Sequence, residues 1–285
     1  MAALGSIGFS GKAIIVKLAY RYGVDAVTLI MYRMLFALPL FVSMAWWAGR
    51  GKPALSARDW VGVVGLGFCG YYLASMLDFM GLQYITASLE RLILYLTPTV
   101  VMLLGWALRG QRITARHALA AVVSYAGALL VFGRELRLEG SPAIALGAAL
   151  VLGSTISYAL YLFYSGEYVR RIGALRLVGL ATSVACVCCI VQFGLLRPLA
   201  AAQVALPVIW LSVLNATVCT AVPVLLVMMG VERLGAPLAA QIGMVGPLST
   251  IMMSVLILDE PFTPWLAAGT VVVVLGIWMF SRAGR

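Results

Sequence analysis

Charged residues lie inside apolar stretches in the first half of the chain, where side chains of this type are rare. Four are basic and two are acidic: Lys12, Lys17, Arg33, Asp78, Glu90 and Arg91. If these stretches cross a membrane, each charge costs at least about 2.5 kcal/mol near mid-depth and is expected to face protein or water. The excess of two positive charges predicts a site that receives an anionic group, such as a carboxylate.

These charged side chains allow more than one interpretation. Lys12 and Arg91 are expected to line a cavity, whereas Lys17 can extend to the outer surface of a bilayer. Arg33 and Glu90 either contribute to the same cavity or form a structural ion pair. Glu90 is also a candidate proton carrier, because burial of a carboxylate favours its neutral form, although a neighbouring arginine opposes this.

The composition indicates the elements that must position these residues. Of the 285 residues 63% are hydrophobic and only 11% are charged, with a mean hydropathy of +1.04. Soluble domains carry about 25% charged residues. The apolar residues occur in runs of about 20, the length of a helix that crosses the hydrocarbon core. The sequence therefore predicts an all-α polytopic membrane protein.

Ten membrane spans can be assigned, with short connections that leave no room for a separate soluble domain. They run at about 2–20, 26–48, 59–79, 84–108, 114–133, 143–165, 174–196, 204–229, 234–257 and 262–281.

The end of each half of the chain follows one plan. Shifting the stretch from Leu82 to Gly133 by 149 positions places Pro98 on Pro247 and Gly127 on Gly276. Both copies contain an apolar span with a proline, a polar break, and a second span with a glycine. We therefore divide the chain into two five-helix repeats, residues 1–133 and 134–285.

The basic residues of the connections predict the orientation. One set of connections holds twelve Lys and Arg residues and the other holds four. The richer side is expected to be cytoplasmic, and ten spans then place both termini there. Because five spans per repeat is an odd number, the second repeat must be inverted relative to the first. Inverted repeats are typical of secondary transporters that work by alternating access, with a site at the repeat interface.

The repeat also predicts which helix faces meet. Arg91, Tyr95 and Pro98 share one face at helical spacing, and the second repeat presents Met244 and Pro247 at the matching positions. Pro98 and Pro247 are expected to kink their helices and to contribute to gating. The predicted substrate-binding residues are Lys12, Arg33, Glu90, Arg91, Tyr95, Asn215, Gln241 and Met244.

Other classes of function have little support in the sequence. His117 is the only histidine, no metal-binding pattern or P-loop is present, and we expect neither a cofactor nor a nucleic-acid partner. A membrane-embedded transferase would need a clustered acid, base or metal set. Its only candidates, His117, Asp259 and Glu260, are predicted on opposite sides of the membrane. A passive channel is a further alternative.

The order of several short motifs resembles a known family. The residues that carry the resemblance are Gly5-Ser6, Lys12, Arg33 to Ala37, Pro98, Pro247, Glu260, Gly269 and Gly276. Together they resemble the drug/metabolite transporter (DMT) superfamily, in its EamA type with two five-helix repeats. Within it the chain is most similar to the YddG-type bacterial exporters of aromatic and other neutral amino acids.

This resemblance implies an exporter of the bacterial inner membrane, not an enzyme, with a basket-like bundle around a central cavity. We expect an amino acid-like substrate, the lipid bilayer as surroundings, and a monomer. Because members of the superfamily also carry nucleotide sugars and phosphorylated sugars, a carrier of anionic metabolites is the alternative. The position in the first repeat that matches Glu260 is Gln111, so the acidic residue is missing from that copy.

Overall fold

The computed structural model describes residues 2–110, 113–139, 142–234 and 245–283, and these ranges are helical with short connections and no β-strand. The first half contains α1 (Ala2–Tyr20), α2 (Ala26–Gly49), α3 (Ala57–Gly67), α4 (Ala74–Gly81), α5 (Ala87–Leu94), α6 (Thr97–Arg109) and α7 (Ala115–Glu139). The second half contains α8 (Pro142–Ile172), α9 (Ala174–Leu196), α10 (Leu206–Ala216), α11 (Val222–Leu234), α12 (Val245–Leu258) and α13 (Pro264–Ala283).

Many of these helices have the length and composition of membrane spans. Within the described ranges six are long and apolar enough to cross a bilayer: 26–49, 57–81, 87–109, 142–172, 174–196 and 206–227. Shorter apolar helices lie at 115–131, 249–258 and 264–279. The predicted all-α, multi-pass architecture is confirmed, and the count of ten spans stays a prediction. The predicted repeat boundary after Gly133 falls inside α7, which continues to Glu139.

Helix ends follow from local sequence signals. Asp25 precedes α2, and its carboxylate accepts the N–H groups of Val27 and Thr28. Burial tends to raise the pKa of Asp25, but the hydrogen bonds from Thr28 and Val27 and the positive charge of Arg197 together hold this pKa below its ordinary value. At the C-terminal end of α6, Gly110 has a φ of 62°, a conformation that glycine adopts without strain.

In the part of the chain that the structure describes, three spans are interrupted near their middle. The fourth breaks between α5 and α6 at Tyr95 and Leu96, just before Pro98, which lies in the first turn of α6. The third contains a π-helical segment, Phe68–Leu73, between α3 and α4. The eighth contains another, Thr217–Ala221, between α10 and α11. The two π-helical segments begin 149 residues apart, the same offset that relates the repeated sequences. Segments of this kind are frequent at functional sites.

Helices α7 and α13 pack against each other in a reciprocal way. A Cβ atom on Gly127 would lie 2.8 Å from the carbonyl oxygen of Gly269, and one on Gly276 would lie 2.9 Å from that of Ala120. Gly127 matches Gly276, and Ala120 matches Gly269, at the offset of 149 residues. The same pair of contacts is therefore made twice, as expected for elements related by a two-fold axis.

The other helix contacts surround the centre of the bundle. Helix α2 packs along α9, and α1 packs against α10, α11 and α12. Helix α8 packs against α3, α4, α5 and α6. One buried cluster, which includes Leu29, Met34, Phe41 and Phe79, joins α1 and α2 to the third, seventh and eighth spans. The three interrupted spans contribute residues to one cavity between these helices.

Candidate functional site

A cavity of about 360 Å³ lies between the two halves of the bundle. Most of its lining is apolar or aromatic, and the charged side chains in it are Lys12, Arg33, Asp78 and Arg91. Small-molecule sites have volumes of about 300–1,000 Å³ and combine apolar walls with a few oriented polar groups. The cavity has both properties.

Lys12 is the centre of a buried ion cluster. Its Nζ atom lies 2.5 Å from Asp78 Oδ2 and 3.6 Å from Glu90 Oε1. Asp78 is 1% exposed and Glu90 is fully buried. Two carboxylates therefore share one ammonium group at the wall of the cavity. Because unpaired buried charges are strongly destabilising, this lysine stabilises the folded position of both acids.

Arg91 is the second cation near Glu90. Its Nε atom lies 3.9 Å from Glu90 Oε2, and its Nη2 atom donates a hydrogen bond to the backbone carbonyl of Phe9 at 3.3 Å. Within the described ranges neither carboxylate oxygen of Glu90 accepts a hydrogen bond of normal geometry. Glu90 therefore acts as a buried counter-charge behind Lys12 and Arg91, and it does not itself line the cavity.

Arg33 occupies a separate part of the cavity wall. Its Nε and Nη2 atoms donate hydrogen bonds to Thr220 Oγ1 at 3.3 and 3.2 Å, and its guanidinium carbon lies 5.3 Å from the centroid of the Phe79 ring. Of the two alternatives for Arg33 and Glu90, the structural ion pair is not formed, because within the described ranges the ion pairs of Glu90 are with Lys12 and Arg91. Among the described residues Arg33 Nη1 has no hydrogen-bond partner.

Thr220 is a cavity residue that the sequence analysis missed. It lies in the π-helical segment of the eighth span, and its hydroxyl donates to the backbone carbonyl of Asn215 at 2.8 Å. Asn215 is buried behind Thr220 and does not line the cavity. The repeat itself contained a signal, because Thr220 matches Tyr71 at the offset of 149 residues, and both side chains line the cavity.

Tyr95 and Gly246 face each other across the cavity. A methyl group added at Gly246 would lie 3.3 Å from the Tyr95 hydroxyl. The Gly246 carbonyl also accepts a hydrogen bond from Ser10 at 2.7 Å. The fourth and ninth spans therefore approach each other here, next to Pro247. Gln241 and Met244, the other predicted residues of this face, lie outside the described ranges.

Tyrosines form the side of the cavity next to α8. The rings of Tyr71 and Tyr161 are 5.0 Å apart at an angle of 66°, and their hydroxyl groups are 3.2 Å apart. Tyr158 stacks on Tyr161 at 5.7 Å. Tyr71 and Tyr158 line the cavity, whereas Tyr161 is buried behind them. A ligand with an apolar or aromatic side chain would find a matching surface here.

Hydrogen bonds at one end of the bundle join the connection after α12 to the start of α5. The Glu260 carboxylate accepts hydrogen bonds from the Ala87 N–H at 2.8 Å, the Ser88 N–H at 3.3 Å and the Ser88 hydroxyl at 2.8 Å. An anion at the N-terminus of α5 is favoured by the helix dipole. At the same end, Arg21 donates to the Leu258 carbonyl at 3.0 Å. We call Glu260, Ala87 and Ser88 the Glu260 latch.

The described residues contain no group of three His, Cys, Asp or Glu side chains placed to hold a metal ion. The five cysteines are free thiols.

Comparison with known proteins agrees with this architecture. The EamA-like transporter family matches residues 1–133 and 145–282. The chain is 32% identical over 280 residues to an uncharacterized transporter, YcbK, of Bacillus subtilis, with coverage of 90% of this chain and 84% of the relative. It is 24% identical over 290 residues to another, YetK, of the same organism, covering 98% and 83%. The crystal structure of another protein aligns with a TM-score of 0.62 at 19% identity, covering 98% of this chain and 97% of the other.

That structural likeness concerns the fold alone, whereas the family match extends over both halves of the chain. The chain belongs to the EamA-like transporter family of the DMT superfamily, and it is a multi-pass membrane transporter rather than an enzyme.

Proposed function

We propose that this transporter carries neutral amino acids, including aromatic ones, out of the cytoplasm across the bacterial inner membrane. The observation that carries the proposal is the cavity in which Arg33 and Arg91 lie near a wall of tyrosines. The guanidinium groups would hold the carboxylate of the substrate, since arginine matches the geometry of this group. The tyrosine wall would receive its side chain.

The charge of the cavity favours a substrate with one carboxylate. Lys12, Arg33 and Arg91 are balanced in part by Asp78 and Glu90, which leaves one positive charge if all five groups are ionised. A phosphorylated or nucleotide-linked metabolite carries more negative charge than this surplus. A carrier of such anions is therefore the second candidate.

We further propose that transport uses alternating access between two inverted five-helix repeats, residues 1–133 and 134–285. Support comes from the reciprocal packing of α7 and α13 and from the π-helical segments at the same offset. The two guanidinium groups come from spans of the first repeat, and Thr220 and Gly246 come from the second. A site at the repeat interface is the expected position in a carrier of this kind.

With both termini in the cytoplasm, as the distribution of basic residues predicts, the Glu260 latch lies on the outer side. In this orientation the intact latch would hold the carrier closed to the outside. Export would require the latch to open after substrate has bound from the inner side. We infer that a single chain suffices, because the cavity is enclosed by helices of one protomer.

Ligand-dependent thermal stability of the purified protein tests the substrate class. A ligand that binds only the folded state adds about 2.7 kcal/mol of stability at one hundred times its Kd. We expect phenylalanine and leucine to raise the Tm, and phenylethylamine, which lacks the carboxylate, to raise it much less at the same concentration. If glucose 6-phosphate raised the Tm and the amino acids did not, the second candidate would replace the first.

A further inference from the structure

We propose that Lys12 is a tethered counter-ion, which in the empty carrier occupies the place on Asp78 that the ammonium group of a substrate takes. This inference rests on the proposed function, because it assigns the second charged group of an amino acid to its own subsite. It also gives Lys12 a role different from that of the arginines, which hold the carboxylate.

Asp78 has the properties of a ligand-binding group. It is 1% exposed, its side chain lines the cavity, and one of its oxygens, Oδ1, has no hydrogen-bond partner in the part of the chain that the structure describes. Its other oxygen, Oδ2, accepts from Lys12 Nζ at 2.5 Å. A primary ammonium group therefore already occupies this position, and the ammonium of an amino acid has the same charge and the same three donors.

Displacement of Lys12 requires only a short movement. Its Nζ atom is 3.6 Å from Glu90 Oε1, so a small rotation of the side chain brings it fully onto Glu90. The substrate ammonium can then take Asp78, while Glu90 keeps Lys12 and Arg91 as counter-ions. Asp78 and Glu90 therefore each keep an opposite charge at every stage. The carboxylate of the substrate also gives a partner to Arg33, whose Nη1 atom has none among the described groups.

This exchange of ammonium groups has a consequence for the transport cycle. A carrier that works in net transport must return to its starting side without substrate, and on the way it must close around its own charged groups. A bare carboxylate enclosed in this step is strongly unfavourable. Lys12 supplies the missing cation, so the empty carrier can close. During exchange the carrier always returns with substrate, whose ammonium group pairs with Asp78, so Lys12 is then not needed as the partner of this carboxylate.

The two transport modes therefore respond differently to removal of the lysine. In proteoliposomes we expect Lys12→Met to lower net efflux of phenylalanine at least tenfold, and to lower phenylalanine counterflow by no more than about threefold. Lys12→Arg, which keeps the charge, should retain most of the net efflux. Lys17→Met is the matched control, because Lys17 lies on the same helix but lines a separate pocket at its outer end, and it should alter neither mode selectively.

Several results would overturn the inference. If Lys12→Met lowered net efflux and counterflow by the same factor, or lowered neither, Lys12 would not be a counter-ion of the empty carrier. If the Lys12→Met variant does not fold, competition for counterflow by the wild-type protein tests the inference instead. N-acetylphenylalanine lacks the ammonium group and should compete at least tenfold less well than phenylalanine for counterflow; equal competition would remove the ammonium subsite. If folded wild-type protein exchanged no amino acid at all, the proposed function itself would fail.

Discussion

The Glu260 latch gives the most quantitative prediction about gating. In the Glu260→Gln variant the carboxylate is replaced by a neutral amide, whose single oxygen cannot accept all three hydrogen bonds that the carboxylate receives from Ala87 and Ser88. Hydrogen bonds to charged groups contribute about 1.5–3 kcal/mol each, and a charge at a helix N-terminus adds about 0.3–1 kcal/mol. Since the amide retains part of these interactions, we expect a net loss of about 2 kcal/mol from the closed state.

A loss of this size changes the ratio of outward-open to outward-closed carriers about thirtyfold, because about 1.4 kcal/mol corresponds to a factor of ten. The assay is the rate at which a membrane-impermeant thiol reagent, added outside intact cells, labels a single cysteine introduced at Ser75 in a background without the native cysteines. Ser75 lines the cavity. We expect labelling to accelerate by a factor of about ten to thirty in Glu260→Gln.

The matched control is Asp259→Asn, since Asp259 is an exposed acid next to the latch and asparagine tolerates its φ of 60°. This variant should label at the wild-type rate. Equal acceleration in both variants would indicate a general effect of charge, and no acceleration in Glu260→Gln would refute the view that these hydrogen bonds hold the cavity closed.

Two further predictions concern the cavity and the packing of the repeats. Arg91→Ala removes a guanidinium group proposed to bind the substrate carboxylate, so we expect KM for phenylalanine to rise about tenfold to a hundredfold while the amount of folded protein in the membrane is unchanged; a normal KM would remove Arg91 from the site. Gly127→Ala places a Cβ 2.8 Å from the Gly269 carbonyl oxygen. It should lower the free energy of unfolding by about 1–3 kcal/mol, whereas Gly65→Ala, where a Cβ meets no atom within 4 Å, should leave the Tm unchanged or raise it.

The sequence was most informative where physical cost or symmetry constrains the residue type. Lys12 and Arg91 could be identified because charges are expensive in apolar helices, and both line the cavity. Gly127 and Gly276 could be paired by the offset between the repeats, and the structure places both in the contact between α7 and α13.

The residues whose roles were not predicted owe these roles to contacts between distant parts of the chain. Threonine is inexpensive in an apolar helix, so Thr220 gave no signal of its own, and its position against Arg33 depends on a π-helical segment that has no recognisable sequence pattern. Because Arg33 lies against this segment, it does not form the ion pair with Glu90 that was one of the two alternatives predicted from the sequence. Two of the three partners of Glu260 are the backbone N–H groups of Ala87 and Ser88, more than 170 residues away, and every residue type except proline has such a group.

The central claim, that the cavity carries amino acids by alternating access, is tested most directly by counterflow in liposomes that contain the purified protein. Vesicles loaded with unlabelled phenylalanine should transiently accumulate labelled phenylalanine, leucine, threonine or methionine from outside, and the initial rate should saturate with concentration. Flux that rises linearly without counterflow would indicate a channel. Absence of any accumulation, in vesicles shown to hold folded protein, would contradict the assignment of amino acids as substrates.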